Sequence, residues 1–591
     1  MKRKNIIRYA AALAFPIALL GGCTGDFEKL NTNPYEVNPE DLPFEAQFTT
    51  PMSYSYPCQQ NLFQFWTNLQ IDIYGGYFES PNGNFTNQRY AMNRGHCGGM
   101  HENFMQKIFN NTRRLIRQCE ANNQPDFAAV MRVVEVYNLL NYTDTYGPVP
   151  YSSVIAADEL PERPGSYAYD TQEQIYGTMI SQLNTAIEGF ATETPGLGSF
   201  DIWCNGDHAL WLQVANQLKL RIALRMVKVA PALAEQYAAE AVQGGVLTDT
   251  DILISKGFEN EMWLMFNWGD CGANASLVTM LKGYDDPRLP LYFTKNTQPI
   301  VKADAKPIGT DDDGFAVYAE EDYLTDPDTG APLRQGTSYL GLPAGCPIGG
   351  KPNMYSNYSG WAGTFTMPQP ILFAAEGWFL RAEAELRWQL TGESVQTLYE
   401  TGIRTSIRNQ YAYRASYAEQ GYAEFKQELP ADWKTLASDE TIETYINGET
   451  LPLDYVDPAT EGYDSVNEND LSVKWDDAAT DEEKLQRIIT QKWIALFPLS
   501  NEAWAEYRRT GYPLLVMGEA IRNDGVHPTR FPYPLVLRSS NKNYATQLAK
   551  MGEDNMKTPV WWSRKAVKLE NPEEDNNLGY TGHKWDADIK W

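Results

Sequence analysis

"DEEKLQRIITQKWIALF", residues 481–497, sets the fold class. Three acids open it, and Leu485, Ile489, Trp493 and Leu496 then recur at the spacing of one helical face. Pro498 ends the run, since proline has no amide to continue the ladder. A helix with one apolar stripe is stable only when that stripe is laid on another element.

Working outward, the same period appears in four more blocks. Residues 125–140, "PDFAAVMRVVEVYNLL", place Phe127, Val130, Met131, Val134 and Tyr137 on one face. Residues 171–190 do so with Ile175, Met179, Leu183 and Ile187. Residues 207–229 carry Trp211, Val214, Ala215, Leu218 and Ile222 behind Asp207, whose carboxylate suits an N-cap. Residues 369–388 line up Ile371, Ala375, Trp378, Ala382 and Leu386. Between these blocks, residues 244–370 are punctuated by Gly, Pro and Asp, and residues 411–480 are acidic and loop-like. Loops of that length without elements of their own tend to be functional. A helical scaffold carrying long aromatic loops is the coarse expectation.

The N-terminus reads as an export signal. Lys2, Arg3, Lys4 and Arg8 precede an apolar run of about 12 residues, too short to span a bilayer. Leu20-Gly21-Gly22-Cys23 resembles a bacterial lipobox, in which the cysteine is acylated and becomes the first residue. Residues 1–22 are thus expected to be a lipoprotein signal peptide, and 23–591 a single domain whose first stretch, 23–45, is a polar tether. Two or more acyl chains hold a protein stably at a membrane.

Four of the 49 basic residues and none of the 76 acidic ones fall within 1–22, so the remainder carries a formal charge of −31. A field of that sign repels phosphate backbones and argues against nucleic acid as a partner. Cys58, Cys97, Cys119, Cys204, Cys271 and Cys346 are an even set that permits up to three disulfides outside the cytoplasm. No CxxC pair occurs and only five histidines exist, which is poor material for zinc. His101-Glu102 lacks the second histidine of a zincin. The HExxH, GxSxG, Walker A and dinucleotide motifs are all missing, so no catalytic residue is assigned.

Six segments together resemble the SusD/RagB outer-membrane lipoproteins: 30–37 "LNTNPYEV", 140–154 "LNYTDTYGPVPYSSV", 378–388 "WFLRAEAELRW", 488–513 "IITQKWIALFPLSNEAWAEYRRTGYP", 528–545 "PTRFPYPLVLRSSNKNYA" and 558–562 "TPVWW". They come in the expected order behind the lipobox and cover essentially the whole chain after Cys23. The resemblance implies a mostly α-helical fold. In it, four tetratricopeptide-like helix pairs form the scaffold, and long loops with small strands form the ligand-facing side. It also implies a non-enzymatic, lipid-anchored protein on the outer face of the outer membrane. Such a protein captures glycans, or in some members peptides, for a SusC-like TonB-dependent transporter. Asp26 and Glu28 behind Cys23 resemble the surface-export signal of such lipoproteins. Glu383, Glu385, Arg381, Arg508, Arg509, Asp144 and Tyr146, which lie in the shared segments, are expected to serve the scaffold rather than a ligand.

Sugar rings offer apolar C–H faces to Trp and Tyr, and their hydroxyls take directional hydrogen bonds. Three loops are rich in both kinds of partner: 71–90, 262–276 and 352–365. From them Tyr74, Tyr77, Trp268, Tyr358 and Trp361 are expected as stacking rings, with Asn82, Asn84, Asp270 and Asn357 as polar partners. Gly360 and Gly363 around Trp361 suggest an exposed turn. On that reading Trp361→Ala costs affinity at least tenfold (about 1.4 kcal/mol) and leaves the melting temperature nearly unchanged. No cofactor is expected apart from a structural calcium: Asp311, Asp313 and Glu320 fall at ligand positions of an EF-hand-like loop whose first position is Gly309. A surface glycoside hydrolase is the rival from another class.

Overall fold

The computed structural model describes residues 43–57, 59–159, 167–191, 196–255 and 260–563. The expected signal, Cys23, Cys58 and nearly all of the tether lie outside the described residues.

Among the described residues nine helices make the scaffold: α1 Asn110–Ala121, α2 Pro125–Tyr146, α3 Gln172–Gly189, α4 His208–Arg225, α5 Pro231–Gly244, α6 Ala374–Trp388, α7 Val395–Glu424, α8 Asp481–Ala495 and α9 Ser500–Thr510. The chain-adjacent pairs α1/α2, α4/α5, α6/α7 and α8/α9 pack together, and α3 lies against both α2 and α4. Their ends follow from local chemistry. The Asp207 carboxylate accepts from the amides of Ala209 and Leu210 at 2.9 and 3.1 Å, capping α4 as expected. Thr480 with Glu483, and Thr171 with Gln174, form capping boxes on α8 and α3. Helix α2 stops at Gly147, whose φ of +78° an L-residue with a side chain adopts only under strain.

The stripes on 125–140, 171–190, 207–229 and 481–497 face the core, but α2 and α8 are buried almost all round. Both have helices on several sides, so their polar residues are enclosed and must be paired inside the protein. Helix α7 overturns part of the loop expectation, since it runs to Glu424 through the first fifth of 411–480. Its buried face carries Gly402, Ser406, Gln410 and Gly421 among the apolar residues, which blurs the period. Those glycines are fixed by space. A Cβ at Gly402 would come within 2.9 Å of the Phe379 ring, and one at Gly421 within 2.7 Å of the Gly363 amide.

The opposite side holds short two-stranded ribbons, all antiparallel: β1 Phe78–Glu79 with β3 Gly272–Ala273, β2 Ile252–Ile254 with β8 Gln369–Leu372, β4 Phe293–Asn296 with β7 Ser359–Trp361, and β5 Gly309–Thr310 with β6 Ala316–Val317. Three ribbons join stretches that sequence periodicity leaves unassigned, whereas β8 takes Ile371 out of the helical block expected over 369–388, and the helix starts only at Ala374. Cys97, Cys119, Cys204, Cys271 and Cys346 are buried free thiols, so among the described residues no disulfide forms. Burial pushes the Cys97 and Cys119 thiols up to about 12, which keeps them protonated and unreactive.

Candidate functional site

Two groups of polar residues stand apart in the structure. The first is an ionic network inside the scaffold. Arg225 donates to Glu502 at 2.5 and 3.0 Å, to Glu506 at 2.5 Å and to Asp144 at 3.2 Å. Arg509 clamps Glu383 at 2.6 and 2.7 Å and also reaches Glu506, while Arg221 holds Glu376 at 2.5 and 2.8 Å. The Lys492 ammonium stands 3.5–3.6 Å from Glu376, Glu502 and Glu506. Burial alone would raise the Glu502 carboxyl, but Arg221, Arg225 and Lys492 together hold it well below the usual range. Glu383 and Glu506 are held down in the same way by Arg509 and its neighbours. Arg508 donates to the carbonyls of Asp144 and Thr529 and lies 3.5 Å over the Trp504 ring. Arg381 pairs with Glu393, and Glu385 accepts from the Thr391 amide at 2.6 Å. All of these residues belong to the scaffold, and none offers a free group to a ligand.

The second group surrounds a cavity of about 180 Å³. Its wall brings together Pro81 from the first candidate loop, Trp263, Phe266, Asn267 and Cys271 from the second, and Tyr355, Tyr358 and Trp361 from the third, with Glu424 and Phe425 at the end of α7. Asp270 ties those loops to each other. Its carboxylate accepts from Gln64 at 2.9 Å, Asn82 at 2.9 Å and Lys351 at 2.6 Å. Phe365, outside the wall, is 45% exposed and its ring lies 5.5 Å from that of Trp263, which is half-buried. The Trp263 indole N–H donates to Glu424, at 3.1 and 3.4 Å from the two carboxylate oxygens.

A larger cavity, about 460 Å³, lies between Tyr54, Phe65 and His96. None of the residues picked from the sequence lines it. Its size alone is a weaker pointer than three separated loops meeting at one place.

The structure redistributes the expected residues. Tyr74 and Tyr77 have no exposed surface. Tyr74 packs against Tyr90, Trp504 and Phe531, and the Tyr77 hydroxyl donates to the Trp493 carbonyl, so both are core rings and not stacking platforms. Asn82 and Asp270 are buried and bonded to each other, which removes them as free partners for a ligand. Asn84 is exposed and Asn357 half-buried, and neither lines the cavity. Trp268 is half-buried between Asn267 and Gly269, which do line it.

Tyr358 and Trp361 are in the wall but each is only 3% exposed. Trp361 sits in β7 with its ring 5.8–6.1 Å from Phe78, Phe266 and Phe497, and with the buried Arg414 guanidinium 5.4 Å away. The neighbouring glycines mark close packing, not an exposed turn: a Cβ at Gly363 would fall 2.3 Å from the Trp361 Nε1. Trp361 therefore contributes to stability as well as to the wall, contrary to the expected silence of Trp361→Ala in melting.

The calcium expectation is also corrected. Asp311 accepts from the backbone amides of Asp313 and Phe315 at 3.1 and 2.8 Å, closing the turn between β5 and β6, and Glu320 is engaged by Arg334. Among the described residues no three acidic, His or Cys side chains gather to hold a metal.

Trp263, Phe365 and Glu424 were not singled out in the sequence. Trp263 and Phe365 stand inside two of the candidate loops, where nothing in the pattern separates an exposed ring from a packed one. Glu424 is one acid among many and reaches the site only because α7 ends there.

The SusD-like family, described as SusD and RagB outer membrane lipoproteins, matches residues 28–440 and 434–563, and this chain belongs to it. Its fold is shared with a chitin-binding SusD homologue from Flavobacterium johnsoniae, at 28% identity over 89% of this chain and 100% of that one, TM-score 0.72. A SusD-like protein from Bacteroides thetaiotaomicron aligns at 26% identity over 88% and 99%, TM-score 0.70. A SusD homologue from Bacteroides vulgatus aligns at 28% over 88% and 97%, TM-score 0.70. A search of curated proteins finds no match. SusD-like proteins are binding proteins and not enzymes. No described helix is long and apolar enough to cross a membrane.

Proposed function

We propose that this chain is a cell-surface glycan-capture lipoprotein. It holds one sugar ring of an oligosaccharide in the cavity walled by Trp361 and Tyr358 and passes its cargo to a SusC-like TonB-dependent transporter. The observation that carries this reading is the convergence of three distant loops on an aromatic cavity lined by Trp263, with the exposed Phe365 ring beside that Trp. The cavity is smaller than the ~300–1,000 Å³ of an enclosed ligand site, which suits one ring of a longer chain whose remainder crosses the rim. Trp and Phe faces there can stack on sugar C–H surfaces, and Ser356, Thr297, Asn267 and Glu424 supply directional partners. Membership of a lipoprotein family and the chitin-binding relative support both the cargo class and the anchoring through Cys23.

The test is a glycan array followed by titration calorimetry on the best binder. Trp263→Ala is expected to weaken binding at least tenfold, about 1.4 kcal/mol. Absence of any glycan signal, with peptides alone protecting against heat, would replace the cargo class. For the anchor, Cys23→Ser is expected to release the protein from outer-membrane fractions, and retention there would contradict it.

A further inference from the structure

The residues lining the cavity include one ionisable carboxylate, Glu424, and no Lys, Arg or His. Two cations near the cavity hold bonds of their own. Lys351 donates to Asp270 at 2.6 Å and to the Trp268 carbonyl. Arg414 lies fully buried behind Trp361, where its guanidinium bonds Gln410 at 2.6 Å and the Phe497 carbonyl at 3.2 Å. An anionic ligand group entering the cavity therefore meets a carboxylate and, among the described lining residues, no cation. An ammonium meets the opposite situation. Glu424 is exposed, fixed by the Trp263 N–H, and keeps lone pairs for a further donor. The Trp263 face beside it adds a cation–π partner.

Resting on the reading of this cavity as a glycan site, we propose that it selects sugars bearing a free amine over their hydroxyl counterparts, and those over acidic sugars. The recognised group is the ammonium of a 2-amino-2-deoxy sugar, held between the Glu424 carboxylate and the Trp263 ring. An exposed charge pair and a cation–π contact contribute modestly each, so the expected preference for amine over hydroxyl is about three- to tenfold in affinity. It should shrink as salt rises, because the pair faces water.

The test uses an array printed with matched hydroxyl, amine and carboxylate forms of hexasaccharides in gluco, manno and galacto series, probed with the intact protein and with Glu424→Gln. The expected result is the ranking amine, hydroxyl, carboxylate for the unaltered protein, and an amine-to-hydroxyl ratio near one for Glu424→Gln. Binding of hydroxyl forms without an amine preference, or a preference that survives Glu424→Gln, overturns this inference and leaves the glycan reading standing. No binding to any form overturns both.

Discussion

The scaffold and the loop side of this protein use polar residues in opposite ways. In the scaffold, Arg225, Arg509, Arg221 and Lys492 neutralise Glu376, Glu383, Glu502 and Glu506 deep between helices α4, α6, α8 and α9. Every charge there is answered inside the protein, so the network gives rigidity and specific packing and has nothing left for a partner. On the loop side, one buried clamp at Asp270 gathers three loops, and beyond it the rings and carboxylate at the rim remain open to solvent. The segments shared with the family lie mostly in the first region. The groups able to meet a ligand lie in the second.

That contrast can be broken at graded cost. Arg225→Ala should have the largest effect, about 3–5 kcal/mol of stability, because it removes the buried guanidinium shared by Asp144, Glu502 and Glu506; chemical denaturation measures it. A loss under about 1 kcal/mol would show the network to be dispensable. Trp361→Ala should cost about 3–4 kcal/mol, the usual range for emptying a packed Trp site, together with lost binding. A variant that binds poorly but melts normally would instead make Trp361 a pure contact residue.

Acid should act on two kinds of buried carboxyl with opposite signs. Glu383, Glu502 and Glu506 have depressed carboxyls, so their contribution is complete above about 4.5, the value of an unperturbed Glu, and is lost as pH falls below it. Asp72 is opposite: burial raises it to about 7, so its cost builds up from about pH 4, the value of an unperturbed Asp, and is complete above 7. Asp72→Asn should therefore raise the melting temperature much more at pH 8 than at pH 4, and equal effects at both would contradict this. Trp263→Ala should cost at most about 1 kcal/mol of stability, since the ring is half-exposed, while binding drops at least tenfold. Smallest of all, Glu320→Gln should shift stability by under about 0.5 kcal/mol, and added calcium should not move the melting curve.

Much of the scaffold was legible in the sequence. Stripes such as Leu485, Ile489 and Trp493 and the Asp207 cap rest on local rules that tertiary contacts did not override. Helix α7 was hidden because close packing against Phe379 and Gly363 demands Gly402 and Gly421, which break an apolar period. The three candidate loops were legible as ring-rich polar stretches, and all three contribute residues to the cavity wall. The individual rings were not: Tyr77 and Trp263 look alike in a sequence, and only the packing of Trp493 and Phe497 against the one, and of exposed Phe365 beside the other, separates core from rim. Glu424 depended on where a 30-residue helix ends, which no local pattern reports.

The most direct measurement is amide hydrogen exchange on the protein with and without the tightest-binding oligosaccharide from the array. New protection should be confined to residues 262–272, 355–365 and 420–426, with α2 and α8 unchanged. Protection concentrated on the helical scaffold, or around Phe65 and His96 at the larger cavity, would contradict the assignment of the ligand to the loop side.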